Sequence, residues 1–244
     1  MTELTPEMIL QAYRAGIFPM AAHRHGAEIK WHDPDPRGVL PIAGLHVSKK
    51  LRRAVKKNPY HVTFDQAFAQ VMHACADTRP DTWINDDIIA LYTALHRQGY
   101  AHSVEAWKDG QLVGGLYGIA LGGAFFGESM FSTAAGASKI ALVHLAARLW
   151  RQGFELLDTQ FTNDHLRQFG VYGISRAEYR RRLKNALEKK VSFNKDQSSG
   201  PASGPSSSGV SFASSGLPSG VASEENACAL TDAVSFLQSI TQTS

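Results

Sequence analysis

The sequence predicts an α+β (α/β) protein in which a mixed sheet with helices follows a smaller N-terminal domain. The chain has 244 residues and 43% hydrophobic content, which is enough to bury a sizeable core. Apolar residues recur at helical spacing in the first part of the chain, whereas they alternate with a period of two over residues 103–131. We therefore expect three parts, a small N-terminal domain over 1–60, a sheet domain over 61–195 and a tail over 196–244.

The N-terminal elements are marked by their boundary residues. In LTPEMILQAYRAG, Thr5 is placed to cap a helix, Pro6 takes its first position and Gly16 follows its end. The segments IFPM and KWHDPDPRGVLPI are expected to be extended, because a proline disfavours helix in the residue before it. Three more helices are expected in SKKLRRAVKKNP, FDQAFAQVMHACA and IIALYTALHRQG.

A strand meander, a helix and a last strand come next. Residues 103–107, 112–120 and 124–131 alternate, and the turns KDGQ and LGG join them into an antiparallel meander. ASKIALVHLAARLWRQG is then a helix that ends at Gly153, and FELLDTQF is one more strand. This order occurs in the core of GNAT-type (acyl-CoA N-acyltransferase-like) proteins, so we expect a GNAT-like sheet. A shared fold does not by itself establish a shared chemistry.

Composition excludes several classes of protein. No apolar run approaches the roughly 20 residues that span a bilayer, and MTELTPEMIL lacks a signal-peptide pattern, so we expect a cytoplasmic protein. Cys75 and Cys228 offer no framework of disulfides or paired metal ligands. His23, His25 and His32 lie in an irregular segment without ligand spacing, so we expect no metal site there.

The C-terminal tail differs in composition from the rest. Residues 196–223 are rich in Ser, Gly and Pro and too poor in apolar residues to order, so we expect a disordered linker. In the closing ENACALTDAVSFLQSI, the spacing of Leu230, Val234 and Leu237 is compatible with a short docking helix and equally with an unstructured end. Every Lys and Arg lies at or before Lys195, so the positive charge belongs to the folded part.

Three polar side chains interrupt apolar strands. Glu128 lies inside GGAFFGESMFS, and Asp158 and Gln160 share one face of LLDTQF because strand side chains alternate. A lone buried carboxylate is costly unless a cation or hydrogen-bond donors meet it. Either the three form one polar site, in which a carboxylate fixes the amide for an incoming amine, or they are structural. In the structural alternative, Asp158 caps a strand end and Glu128 satisfies a buried arginine.

Two clusters of basic residues favour contact with phosphate groups. A single run of this kind is usually a solvated face, but two runs on a chain of net charge +3 are compatible with a polyanionic partner. The candidate phosphate contacts are Lys49, Lys50, Arg52, Arg53, Arg180 and Arg181.

Seven segments together resemble one enzyme family, the leucyl/phenylalanyl-tRNA–protein transferases. In chain order they are GIFPM, WHDPDPRGVLPI, LHVSKKLRR, DTWINDDIIALYTALHRQGYAHSVEAW, LVGGLYGIALGGAFFGESMFS, ASKIALVHLAARL and LLDTQFTNDHLRQFG. The resemblance extends from about Leu4 to about Leu183. It is specific, because GESMFS followed by LxDxQxxNDHxxxxG is not shared with general acetyltransferases.

The resemblance implies an enzyme that moves Leu or Phe from aminoacyl-tRNA to the N-terminal amine of proteins beginning with Arg or Lys, which marks them for N-end-rule degradation. It also implies a GNAT-like C-terminal domain and a smaller N-terminal one. The ester of the donor is already activated, so aligning the amine and stabilising the oxyanion can supply much of the catalysis. No metal or nucleotide cofactor is expected.

The resemblance further implies roles for individual residues. Glu128 would meet the cationic first residue of the acceptor, Asp158 would orient Gln160, and Gln160 would bind the α-amine and help remove its proton. Trp83 would stack on the terminal adenosine of the tRNA. The remaining substrate-binding residues would be Leu116, Met130, Ser132, Leu145, Leu149 and Leu157.

The chain departs from the family pattern at a few positions, and two alternative functions remain. Met20 stands where many members have Trp, which removes one stacking partner for the adenosine, and aromatics occur in some relatives at Leu145 and Leu149. One alternative is a GNAT-type acyl-CoA N-acetyltransferase, although TAAGASK lacks the spacing of a pyrophosphate loop. The other is a non-catalytic RNA-binding module in which the acids are structural.

Overall fold

The computed structural model describes residues 4–24, 26, 28–79, 81–194 and 219–242, with side chains in the last range described over 226–241. Within these ranges the helices are α1 (Pro6–Arg14), α2 (Lys49–Lys57), α3 (Phe68–Asp77), α4 (Asp86–Arg97), α5 (Ala137–Gln152), α6 (Asp164–Arg167), α7 (Arg176–Leu187) and α8 (Ser219–Gln242). The strands are β1 (Phe18–Ala21), β2 (Ile29–His32), β3 (Arg37–Leu40), β4 (His61–Phe64), β5 (Ala101–Lys108), β6 (Gln111–Leu121), β7 (Ala124–Ser132), β8 (Leu156–Gln160) and β9 (Tyr172–Ile174).

Side-chain caps fix where several helices begin. The Thr5 hydroxyl accepts a hydrogen bond from the backbone N–H of Met8, and the Asn85 side chain accepts one from Ile88. At the other end of α5, Gly153 adopts a left-handed conformation with φ 80°, which glycine reaches at low cost. These boundary residues are short-range signals, and the structure confirms the predicted cap at Thr5 and the predicted helix end at Gly153.

The strands form one seven-stranded mixed sheet and one two-stranded sheet. The large sheet has the order β4-β5-β6-β7-β8-β3-β9, and β1 pairs with β2. Strands β7 and β8 are parallel, and the other pairs in the large sheet are antiparallel. Because parallel neighbours need a crossover connection, α5 joins β7 to β8 across one face of the sheet. The predicted mixed α/β architecture is therefore confirmed.

The N-terminal segment contributes a strand to the large sheet. Strand β3 lies between β8 and β9, with Val39 opposite Asp158 and Leu40 opposite Leu157. All four residues of β3 are buried, Arg37 among them. The segment 1–60 is thus joined to residues 61–195 by strand pairing as well as by the chain itself.

Two hydrophobic clusters lie on opposite faces of the large sheet. One contains the buried side of α5 with Leu116, Phe125 and Leu157 from the strands. The other contains residues of α1, α3, α4 and α7 with Tyr117 and Phe126. Neighbouring strand residues such as Leu116 and Tyr117 therefore point to different faces, as the period of two requires.

The C-terminal helix α8 packs on the domain. It contacts α5, α2 and β4, and the side chain of Asn226 accepts a hydrogen bond from the backbone N–H of Val62 on the edge strand β4. Its buried residues are Ala229, Ala233, Phe236, Leu237 and Ile240.

The predicted tail does form a docking helix, but the predicted end of its linker is wrong. The helix begins at Ser219, so residues 219–223 are helical and not part of a linker, while residues 196–218 lie outside the described residues. The buried face includes Leu237 but leaves Leu230 and Val234 only partly buried. Alanines 229 and 233 take the central positions, because small side chains let α8 approach α5 closely.

Other differences lie at short elements. FDQAFAQVMHACA is not helical from its first residue, because Phe64 ends strand β4, which pairs with β5, and α3 starts at Phe68. Residue Asp65 between them has a left-handed backbone, φ 60°, and its carboxylate accepts from the N–H of Ser103. Among the described residues, no helix combines the length and apolar character that crossing a membrane requires.

Candidate active site

The candidate site lies where the parallel strands β7 and β8 separate. Their pairing runs from Ala124 opposite Leu156 to Phe126 opposite Asp158, and β7 then continues to Ser132 paired with β6 alone. A cavity of about 460 Å³ opens at this point, between the carboxyl ends of the two strands. Open sheets commonly bind ligands at such a position.

A β-bulge at Glu128 shapes one wall of this cavity. Tyr117 pairs with Ser129 and Gly118 pairs with Gly127, so Glu128 is an extra residue without a partner on β6. Bulges re-aim side chains and occur often beside active sites. The bulge also explains Gly118, because a Cβ there would lie 2.3 Å from the carbonyl oxygen of Phe126.

Glu128 is held by two donors. Tyr13 Oη donates to Glu128 Oε1 over 2.6 Å, and Gln160 Nε2 donates to the same oxygen over 3.1 Å. The hydroxyls of Tyr13 and Tyr92 are also hydrogen-bonded, at 2.6 Å. The second carboxylate oxygen of Glu128 has no hydrogen-bond partner among the described residues and is available to a ligand.

The protein around Glu128 disfavours its charge. Burial, and next the hydrogen bond from Tyr13 acting in the opposite direction, bring the pKa of Glu128 to about 8, well above the usual value for a glutamate. The carboxyl is therefore largely neutral at pH 7 in the empty site. A cation that enters beside it stabilises the ionised form and lowers this pKa.

Asp158 lies behind the cavity in a fully buried ion pair. Arg37 donates from Nη2 to Asp158 Oδ2 over 2.7 Å and from Nε to Oδ1 over 2.9 Å. Tyr179 Oη also donates to Oδ2, and the remaining Arg37 nitrogen, Nη1, donates to the carbonyl of Gly16. Asp158, and not Glu128, is thus the acid that satisfies a buried arginine.

Asp158 holds the backbone of Gln160, and Glu128 holds its side-chain amide. Its N–H donates to Asp158 Oδ1 over 2.8 Å, and its φ of 59° turns the chain out of the strand. Glu128 accepts the hydrogen bond from the amide NH₂, so Asp158 contacts Gln160 through the backbone N–H and not through the amide. The amide oxygen of Gln160, which lines the cavity, can accept from an incoming amine.

The opposite end of the cavity is apolar. Of the residues predicted to surround the aminoacyl side chain, Leu116, Met130, Leu145 and Leu157 line the cavity. Leu149 does not, because it lies one turn farther along α5 inside the core.

Of the two other predicted substrate-binding residues, Ser132 lies outside the cavity and Trp83 lines it. Ser132 does not line it, because its hydroxyl donates to the carbonyl of Ala134 and accepts from the N–H of Ser138, at the start of α5. Trp83 does line it, together with Met20.

Sequence reasoning missed several residues of the site. Leu40 and Leu142 complete the apolar wall, and Tyr13 and Tyr92 complete the hydrogen bonds around Glu128. Leu142 could have been found, because it is three residues before Leu145 on the same face of α5. The tyrosines carry no such signal, since the two helices that hold them meet only in the folded chain.

The predicted phosphate contacts fall into two groups. Lys49, Lys50 and Arg53 are exposed on α2. The other three have partners within the protein: Arg52 donates to the carbonyl of Leu237 at the end of α8, Arg180 pairs with Asp33, and Arg181 pairs with Glu178.

Three histidines of the N-terminal region lie at positions 23, 25 and 32. His25 lies outside the described residues. Among the residues that are described, no group of three or more His, Cys, Asp or Glu side chains is arranged to hold a metal ion.

Two family models match the sequence. The model described as leucyl/phenylalanyl-tRNA protein transferase matches residues 39–184, which is more than half of the chain. The model described as the N-terminal domain of the same transferase matches residues 2–35. The chain belongs to this family. The prediction made from the seven motifs is confirmed, and the family is one of aminoacyltransferases.

Individual members of the transferase family are similar over most of their length. A leucyl/phenylalanyl-tRNA–protein transferase of Hyphomonas neptunium is 57% identical over 200 residues, 81% of this chain and 77% of the relative. Those of Paramagnetospirillum magneticum and Gloeobacter violaceus are 52% and 55% identical and cover 80% and 75% of this chain and 95% and 94% of their own lengths. A solved structure of a functionally unknown conserved protein from Staphylococcus epidermidis has a TM-score of 0.35, with 12% identity over 71% of this chain and 66% of its own.

Proposed function

We propose that this protein is a cytoplasmic aminoacyltransferase that moves Leu or Phe from aminoacyl-tRNA to the N-terminal α-amine of proteins beginning with Arg or Lys, and so marks them for N-end-rule degradation. One observation carries the proposal. The apolar cavity ends at the Glu128–Gln160 pair, so a leucine-sized side chain and an amine can lie next to each other. The names of the similar proteins, which mention leucyl, phenylalanyl, tRNA and protein, support the same reaction.

The apolar end of the cavity binds the aminoacyl side chain. Its walls are Leu40, Leu116, Met130, Leu142 and Leu145 with Leu157, all apolar and unable to pair a polar side chain. Such a pocket selects by size and apolar area, and a side chain shorter by one methylene loses about 1–3 kcal/mol. Leu and Phe are therefore favoured over smaller residues.

Gln160 orients the attacking amine. Its amide nitrogen is occupied by Glu128, so its oxygen faces the incoming group as an acceptor. A hydrogen bond from the α-amine to this oxygen fixes the nitrogen lone pair toward the ester carbonyl. Holding the two reactants in this geometry makes a bimolecular step effectively unimolecular.

The transfer then proceeds by addition and elimination at the ester carbon. The α-amine nitrogen bonds to this carbon, and the carbonyl oxygen becomes an oxyanion. The bond from carbon to the ribose oxygen of the terminal adenosine breaks as the carbonyl re-forms. The proton lost by the amine is taken up by the ribose oxygen, which leaves as a hydroxyl, so the products are the extended protein and free tRNA.

Glu128 supplies the preference for a basic first residue. Glu128 lines the cavity, and a buried carboxylate is stabilised by a cation within hydrogen-bonding distance. Arg or Lys at the acceptor's first position provides that cation. Trp83 at the cavity stacks on the terminal adenosine, and the exposed Lys49, Lys50 and Arg53 contact the tRNA backbone.

The sheet order supports a GNAT-like assignment for residues 61–195. Strands β5, β6 and β7 form an antiparallel meander, α5 crosses over, and β8 lies parallel to β7. The acyl-CoA alternative would place a pyrophosphate at the start of α5, after the segment TAAGA. That loop has a single glycine, Gly136, at the helix N-cap position.

Transfer of radiolabelled Leu from Leu-tRNA to a peptide beginning with Arg tests the proposal. We expect labelled product with the Arg peptide, and much less with the same peptide N-acetylated or beginning with Ser. Acetyl-CoA in place of Leu-tRNA should give no product. Acetyl transfer would establish the GNAT alternative, and tRNA binding without transfer would establish the RNA-binding alternative.

A further inference from the structure

Tyr117 lines the active-site cavity and has a hydroxyl that is unpaired within the described part of the chain. Tyr117 is fully buried in strand β6, and its Oη has no hydrogen-bond partner among the described residues. Tyr117 is also one of the residues that line the cavity. A buried hydroxyl without a partner costs free energy, so such a group calls for an explanation, and a ligand that binds it supplies one.

The ring of Tyr117 is held in place by its neighbours. It makes edge contacts with Phe68 and with Tyr92, at 5.8 Å and 6.0 Å between ring centroids. The phenol pKa is raised well above its ordinary value, by burial first and by the nearby Glu128 next, so the hydroxyl stays protonated. A neutral phenol offers one donor and two acceptor lone pairs.

Tyr117 belongs to the Glu128 side of the cavity. It pairs with Ser129, immediately after the bulged Glu128, and it packs in the same hydrophobic cluster as Tyr13 and Tyr92. Leu116, its neighbour in β6, points to the other face and to the leucine wall. Tyr117 therefore lies on the sheet face that carries Tyr13 and Tyr92, the partners of Glu128, and not on the face of the leucine wall.

We propose that the Tyr117 oxygen accepts a hydrogen bond from the cationic side chain of the acceptor's first residue, beside Glu128, and so contributes to the selection of that residue. The inference rests on the proposed function. A guanidinium carries five N–H donors in a fixed plane, so it can donate to Glu128 and to Tyr117 together. The ammonium of Lys, with three donors on a flexible stem, is held less rigidly by the same two groups.

The test is Tyr117→Phe, which removes one oxygen and keeps the ring. We expect the KM for a peptide beginning with Arg to rise roughly tenfold or more, as for loss of a hydrogen bond to a charged group, and more than for the matching Lys peptide. The KM for Leu-tRNA and kcat at saturating peptide stay within about twofold, because the lost hydrogen bond stabilises the bound peptide equally in the ground state and in the transition state. Unfolding in urea should show a stability equal to or above that of the wild type, since an unpaired group is removed.

Tyr60→Phe is the matched control. The Tyr60 hydroxyl is also largely buried but donates to the carbonyl of Ala135, outside the cavity. This variant should lose stability and keep both KM values. The inference is overturned if Tyr117→Phe leaves the peptide KM unchanged, or if the loss appears in kcat or in the KM for Leu-tRNA. A wild type that does not transfer Leu at all overturns the proposed function instead, so the two failures are distinguishable.

Discussion

Gln160 Nε2 donates a hydrogen bond to Glu128 Oε1 over 3.1 Å, across the gap between the two parallel strands. Glu128 of β7 thus fixes the side-chain amide of Gln160, and Asp158 of β8 fixes its backbone N–H. Substitutions at Glu128 and at Asp158 should therefore have different effects on the protein.

Gln160→Ala and Glu128→Ala should not act independently. Each should lower kcat/KM for an Arg peptide by roughly 10²-fold, and the double variant should be little worse than either, because the two side chains act as one unit. Steady-state transfer assays measure the coupling. The double variant Gln160→Ala with Lys49→Ala serves as the control. Lys49 is exposed on α2, so the losses in kcat/KM from these two substitutions should multiply. If the losses in kcat/KM from Glu128→Ala and Gln160→Ala multiply fully in the double variant, the two side chains do not act as one unit.

Binding of a basic ligand should strengthen with pH as Glu128 ionises. Its pKa near 8 means that the empty site is largely neutral below pH 8, and a guanidinium binds the ionised form. Affinity for N-acetyl-argininamide, which lacks a free α-amine, should therefore rise from pH 6 to about pH 8 and then level off. Calorimetric titration measures it, and Glu128→Gln should give weaker binding with little pH dependence. A wild-type affinity that is flat with pH would exclude this linkage.

Breaking the Arg37–Asp158 pair should destabilise the protein. Asp158→Asn leaves the fully buried guanidinium without a counter-charge, and we expect a loss of about 3–5 kcal/mol in the free energy of unfolding. Urea denaturation measures the loss. The double variant Arg37→Met with Asp158→Leu should lose less than Asp158→Asn alone.

The exposed pair of Arg24 and Asp77 is the control for that experiment. Arg24→Met breaks a surface contact and should leave the unfolding midpoint nearly unchanged. If Asp158→Asn is as harmless as Arg24→Met, the pair does not hold strands β3 and β8 together.

Removal of α8 should lower stability and leave catalysis intact. A chain ending at Lys195 uncovers apolar surface on α5 and β4, but none of the α8 residues whose side chains are described, 226–241, lines the cavity. We expect a lower melting temperature and an unchanged specific activity at 25 °C. Phe236→Ala should reproduce the loss in part, and Gln238→Ala, on the exposed side of α8, should not. A folded truncated protein without activity would show that α8 takes part in substrate binding.

The exposed cations of α2 should contact the tRNA backbone. Lys49→Ala with Arg53→Ala should weaken binding of all tRNAs alike, and each lost phosphate contact should reduce the slope of log affinity against log salt by roughly 0.7–0.9. The preference for Leu over smaller residues should not change. Titrations of Leu-tRNA at several salt concentrations measure the slope, and an unchanged slope would place the tRNA elsewhere.

Local signals in the sequence determined the elements and the family. Thr5, Asn85 and Gly153 fix helix boundaries because caps and left-handed turns depend on residues a few positions apart. The period of two gave the meander, and the motifs around Glu128 and Gln160 gave the family, because both signals are contained in short stretches of chain.

Only the tertiary structure decided which groups become partners. Glu128 and Asp158 are both acids in apolar strands, and spacing alone does not say which one meets Arg37 and which one meets Gln160. The bulge in β7 and the insertion of β3 beside β8 settle this, because they set the register between segments distant in sequence. The position of Leu149 outside the cavity and the buried face of α8 depend in the same way on packing against remote elements, which no local pattern encodes.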